Sequence, residues 1–152
     1  MIALVALSFS TVTYAQHGWT VTPADYDYSG TVNAVVVLEG VDVTTGSLGA
    51  FVGTECRGFD DEPELSLVSG RYYFPVTVYS DAVSGEIMTF QYYDGVSFYD
   101  ITETVEFVPD MTEGTVDTPV EFNVVTNTAP VVTDPIADTI VDAGYGTVTI
   151  DL

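Results

Sequence analysis

The stretch DYDYSG, residues 25–30, sets Asp25, Asp27 and Ser29 at alternate positions ahead of Gly30. Alternating oxygens followed by a glycine open an EF-hand calcium loop, because every second side chain can face one cation while the glycine makes the turn. The acid that would close such a loop is missing, since Val36 stands at its place inside an apolar run. Two expectations therefore stand side by side: a Ca²⁺ site at Asp25, Asp27 and Ser29, or an exposed polar turn. More carboxylates gather at Asp60, Asp61, Glu62 and Glu64, where acidic loop residues are ordinarily just solvated.

Nucleophilic chemistry lacks the parts it needs. His17 is the single histidine and Cys56 the single cysteine, so the sequence offers no Ser-His or Cys-His pair within its apolar stretches. Paired carboxylates can hydrolyse glycosides, and spacing alone does not exclude them in a chain this acidic. A catalytic site needs assigned roles and geometry as well as residue types, and the expectation is a protein that is not an enzyme. Asp and Glu number 23 against two basic residues, Arg57 and Arg71, with a net charge of -21. Nothing here can neutralise phosphates, so nucleic acid and anionic membrane surfaces are excluded as partners. Self-repulsion on this scale is relieved by salt or divalent cations.

The elements that must position these residues are strands. Val, Thr, Tyr and Phe dominate, turn signals recur at short intervals, and no segment sustains a helical period. The pattern predicts an all-β chain folded as an antiparallel sandwich, Ig-like or jelly-roll-like, with extra C-terminal strands. Strands are expected near residues 18–22, 30–38, 48–57, 71–79, 86–93, 96–99, 103–108 and 120–125. Asp94-Gly95 marks a tight hairpin turn, and residues 80–86 mark a second connection.

Alternation assigns the faces. Tyr72, Phe74, Val76 and Val78 are expected in the core, as are Met88, Phe90 and Tyr92. Pro75 predicts an edge or a bulge, since it cannot donate to a ladder. Tyr73, Tyr79, Tyr93 and Tyr99 are expected on solvent-facing sides, where their rings would stack on sugars or pack against another protein. The alternative is that they close a second layer of core.

The 152 residues and 47% apolar content suit one buried core plus a fragment. Residues 1–15 read as a secretory signal cut after Ala15, or as an N-terminal strand. The apolar run is too short to span a membrane. Residues 16–125 form the expected sandwich module, 126–130 a linker rich in Asn, Thr and Pro, and 131–152 an incomplete segment. Cys56, unpaired, is expected to pack as a small apolar residue.

GWTVTPADYDYSGTVNAVVVLEG, GSLGAFVGTECRG, RYYFPVTVYS and FQYYDG together resemble a module of large secreted and surface proteins of Bacteroidetes-type bacteria. The resemblance implies a secreted or cell-surface module without assigned catalysis, often joined to Ig-like or cadherin-like repeats. Residues 127–152 are similar to the start of such a repeat, which makes Asp134, Asp138, Asp142 and Asp151 a further set of calcium candidates. Asp138-Thr139-Ile140 fits the pattern these bacteria O-glycosylate, at Thr139.

Two functions are expected from this. In the first, the protein is a structural subunit of an extracellular filament or adhesive array, a homopolymer joined by donor strands carrying Val131, Val132, Ile136, Ile140, Val148 and Ile150. In the second, it is a carbohydrate-binding or adhesion module of a longer secreted protein.

Overall fold

A computed structural model describes residues 17–126. In chain order the strands are β1 (Tyr28–Leu38), β2 (Val41–Asp42), β3 (Ser47–Val52), β4 (Glu55–Asp60), β5 (Glu64–Leu65), β6 (Tyr72–Ser80), β7 (Glu86–Tyr93), β8 (Phe98–Asp100), β9 (Val105–Phe107), β10 (Thr112–Glu113) and β11 (Val120–Asn123). They form two sheets packed face to face. The chain is an all-β sandwich, as the alternation of its apolar residues requires.

The first sheet is built around β1. Antiparallel β6 flanks Tyr28 to Ala34 on one side, and β2 takes over at Val37 and Leu38. The hairpin between β1 and β2 turns at Glu39 and Gly40, both at positive φ (53° and 80°), which the twist of a tight hairpin demands. On its other side β1 is bordered in parallel by β10 and β11, with Thr31 opposite Thr112 and Ala34 opposite Val120. Parallel neighbours cannot be joined by a hairpin. The C-terminal strands therefore reach β1 only after the chain has built the whole second sheet.

That second sheet runs β4-β3-β7-β8, antiparallel throughout, with β9 continuing the line of β8 along β7. Between the two, Ile101 bridges to Val124 beyond β11, tying the sheets at one side. Phe74, Val76, Val78, Leu48, Met88, Phe107 and Phe122 fill the space between the sheets and are fully or almost fully buried. The alternation placed Phe74, Val76, Val78, Met88, Phe90 and Tyr92 in that core correctly, while Tyr72 is only half-buried. Among the described residues Pro75 sits at an edge as expected: β5 borders β6 only at Tyr72 and Tyr73, so at Pro75 the neighbour is β1 alone.

Several expectations change. The strand expected over residues 48–57 is a hairpin, β3 and β4, because Gly53 takes a φ of 60° and turns the chain. Residues 18–22 carry no ladder pairing among the described residues, and the short strands β2, β5 and β10 were not expected. Strands of two residues leave almost no periodicity to read.

The two arginines act as clamps between elements. Arg71 donates to both oxygens of Asp42 on β2 (2.7 and 2.6 Å) and to Glu121 on β11 (3.1 Å), joining segments far apart in sequence. The bond from Arg71 holds the Asp42 carboxyl below its ordinary value. A lowered folded value adds stability that is complete above the unfolded Asp value, about 3.9, and lost as pH falls through the folded one. Arg71→Gln is therefore expected to lower the urea midpoint at neutral pH, with the gap to wild type shrinking as pH falls below the unfolded Asp value. A gap that stayed constant with pH would show that Asp42 carries none of it.

Candidate functional site

The outer face of the second sheet assembles a site from residues that the register sets side by side. Leu48 and Ala50 point into the core, so Gly49 and Phe51 of β3 point out. Met88, Phe90 and Tyr92 are likewise buried, leaving Thr89 and Gln91 of β7 on the outside. Phe51 pairs with Thr89, Gly49 with Gln91, and Gln91 with Asp100 of β8, while Tyr93 pairs with Phe98. Cross-strand neighbours of this kind lie close enough for their side chains to act together.

Gly49 is the socket of this face. A Cβ built there would stand 2.8 Å from the Phe51 ring and 3.0 Å from Trp19. Glycine within a strand commonly marks such a close approach, and here it admits the indole. Trp19 meets Phe51 edge-on at 5.4 Å and Phe98 at 5.7 Å between ring centroids. His17 packs beside Trp19 (4.2 Å) and Phe59 (4.9 Å). Its Nδ1 accepts the Trp19 backbone N–H (2.9 Å), and Nε2 lies 2.6 Å from Asp61 Oδ1. The unpaired N-terminal residues are thus held to the sheet by side chains.

Beside this aromatic layer lies an open groove of about 430 Å³, lined by Phe51, Gly53, Thr54, Thr89, Gln91 and Asp100. Gln91 Nε2 donates to Asp100 Oδ1 (3.0 Å) and Thr89 Oγ1 to the Phe51 carbonyl (3.4 Å). Among the described residues, Asp100 Oδ2 and the Gln91 side-chain oxygen have no hydrogen-bond partner within the protein.

The EF-hand-like loop expected at Asp25, Asp27 and Ser29 does not form. Asp25 ends a single 3₁₀ turn, Pro23–Asp25, and Ser29 is already within β1, paired with Tyr79. Gly30, which would have to make the loop's turn, is an extended, buried strand residue, and a Cβ there would stand 2.7 Å from the Met111 side chain. The Asp27 backbone N–H instead donates to Asp81 (2.9 Å). Among the described residues no three His, Cys, Asp or Glu side chains converge to hold a metal ion.

The four tyrosines do not make one exposed surface. Tyr73 (6% exposed) and Tyr93 (9%) are buried. Tyr73 is covered by β5, whose Glu64 accepts its hydroxyl proton (3.0 Å), and Tyr93 lies against Phe98 at 4.5 Å. Tyr79 is half-buried and stacked on Tyr26 (6.1 Å). Tyr99 stacks on Tyr92 (6.1 Å) and donates to Asp94 (3.0 Å). Its neighbours Phe98 and Asp100 take the outward positions, so Phe98, at 48% exposure, stands where a solvent-facing tyrosine was expected. Val131, Val132, Ile136, Thr139, Ile140, Val148 and Ile150, with Asp134, Asp138, Asp142 and Asp151, lie outside the described residues.

Phe51, Thr89, Gln91, Asp100, Trp19 and Phe98 escaped the sequence reading as site residues. The available signal was Gly49, an isolated glycine in a run of strand formers. The Cys56 thiol is half-buried and pushed up by that burial, with Gly58 O as its partner at 3.6 Å. No protein-family model, curated protein or solved structure matches the chain.

Proposed function

We propose that this chain is a non-catalytic extracellular adhesion module that binds carbohydrate through the outer face of its second sheet. The observation that carries the reading is the groove itself, where a flat aromatic ring, Phe51, stands beside the Gln91 amide and the Asp100 carboxylate. Concave sites with an apolar wall and a few placed polar groups are the general form of a small-molecule site. The resemblance of the LGAFVGTECRG segment to secreted surface modules supports the extracellular setting, as does an acidic chain without lysine. Both ring nitrogens of His17 are engaged by Asp61 and the Trp19 backbone, which supports a binding role over a nucleophilic one.

Assembly into a homopolymer would use residues 131–152 and draws no support from the described geometry, so the groove carries the argument. On a glycan array the full chain is expected to give signal on a defined set of sugars, and Phe51→Leu, which keeps an apolar wall but removes the flat ring, is expected to lower it about tenfold, equivalent to ~1.4 kcal/mol. Absence of signal on every glycan, with a folded protein by circular dichroism, would overturn the proposal.

A further inference from the structure

Resting on the carbohydrate reading, we infer that the groove takes an uncharged sugar and reads a vicinal pair of its hydroxyls with the Gln91–Asp100 pair. Two neighbouring side chains, joined by one hydrogen bond of 3.0 Å, present complementary valences. Asp100 is an acceptor only, whereas the Gln91 amide offers both an N–H and a carbonyl oxygen. A hydroxyl needs both kinds of partner, since it donates one proton and accepts at its lone pairs. Adjacent hydroxyls on one ring are spaced to meet adjacent side chains across a strand pair, one donating to Asp100 Oδ2 and the next bonding to the amide. Phe51 borders the same groove and offers its ring to the C–H face of the sugar, while Thr54 and Thr89 add hydroxyl groups at the rim.

Charge selects the class. Among the described residues Asp100 is the one ionisable group lining the groove, and a uronic-acid or sulfated sugar would bring its anion against that carboxylate with no cation among them to answer it. Arg57 is held by Glu86 and Glu55, and Arg71 by Asp42 and Glu121. The chain has no lysine, and His17 is occupied by Asp61. The other lining residues are uncharged: the Gln91 amide, the Thr54 and Thr89 hydroxyls, and apolar Phe51, Phe90 and Ile101 beside Gly53.

Affinity electrophoresis of the full chain tests this in gels containing laminarin, galactomannan, xyloglucan or hydroxyethyl cellulose, beside gels containing polygalacturonate. Retardation by at least one neutral polymer and none by polygalacturonate is expected. Gln91→Ala and Asp100→Ala, each checked for an unchanged melting temperature, are expected to weaken that retardation at least tenfold. Neutral-polymer binding that survives both substitutions would place the sugar elsewhere and overturn this inference while leaving carbohydrate binding intact. Retardation by polygalacturonate alone would overturn the assignment of an uncharged sugar. No retardation in any of these gels, together with an empty glycan array, would overturn the carbohydrate reading as well.

Discussion

Replacing Arg57 by methionine is expected to destabilise the fold by about 3 kcal/mol, the lower end of the range for stripping a partner from a buried ion pair. Arg57 lies on β4 with its side chain only 11% exposed, and it bonds Glu86 on β7, itself 18% exposed, at 3.0 Å. It also donates to the Tyr79 carbonyl on β6 (3.4 Å) and lies 4.9 Å over the Tyr26 ring. Glu86 in turn accepts from the Ser80 hydroxyl, which caps Ala82. Methionine would fill much of the space but leave the Glu86 carboxylate desolvated beside Ser80. The lower end of the range applies because Arg57 Nε is buried with no partner among the described residues, which leaves the native pair incompletely satisfied.

The same reasoning makes the double variant informative. Arg57→Met with Glu86→Leu removes both charges, and much of the loss is expected to return because no unpaired ion remains. Urea denaturation of wild type, the two single variants and the double gives the coupling energy. A single-variant loss below about 1 kcal/mol, the size of an exposed pair, would mean that water reaches this network and that it does not hold β4 to the first sheet.

The second large effect is expected at Gly58. A Cβ there would stand 2.0 Å from the Thr77 carbonyl oxygen and 3.1 Å from Val78 Cα, so β4 of one sheet passes β6 of the other backbone against backbone. Gly58→Ala adds one methyl group where the obstructing atoms cannot change rotamer. Overpacking ordinarily costs about 1–3 kcal/mol; here the loss is expected at or above the top of that range. At roughly 4 °C or more per kcal/mol for a domain of this size, the melting temperature should fall by more than about 10 °C. The clash is with a main-chain oxygen, so Thr77→Gly is expected not to rescue it. A melting temperature within about 2 °C of wild type would show that the sheets can separate at this corner at little cost.

These two positions also show what could be read in advance. Cys56 and Arg57 were visible as part of a strand, and the alternation along β6 and β7 sorted most core residues correctly, because a period of two is a local property of the backbone. The phase failed at Tyr99, whereas at Tyr73 it held without giving exposure. Tyr73 points away from the core of the sandwich yet is buried, because β5, two residues long, folds over it. The hairpin at residues 94–97, where Asp94 accepts from the Val96 and Ser97 amides, starts β8 at Phe98 and so turns Phe98 and Asp100 outward. The apparent calcium signature at Asp25, Asp27 and Ser29 was local too. The loop it implied gave way to the tertiary demand that Gly30 continue β1 against Met111.

The class was legible in the residues alone: an all-β chain with a net charge of -21, one histidine and a dense apolar alternation. Composition and period decide those, since charge and strand propensity belong to residues individually or to near neighbours. The groove was decided by the tertiary structure alone. Phe51, Thr89, Gln91 and Asp100 come from three strands and meet only through the registers of β3 with β7 and β7 with β8. Trp19 reaches them because Gly49 leaves room for its ring. A register is a relation between segments distant in sequence, set by which apolar faces pack together, and no window of residues contains it.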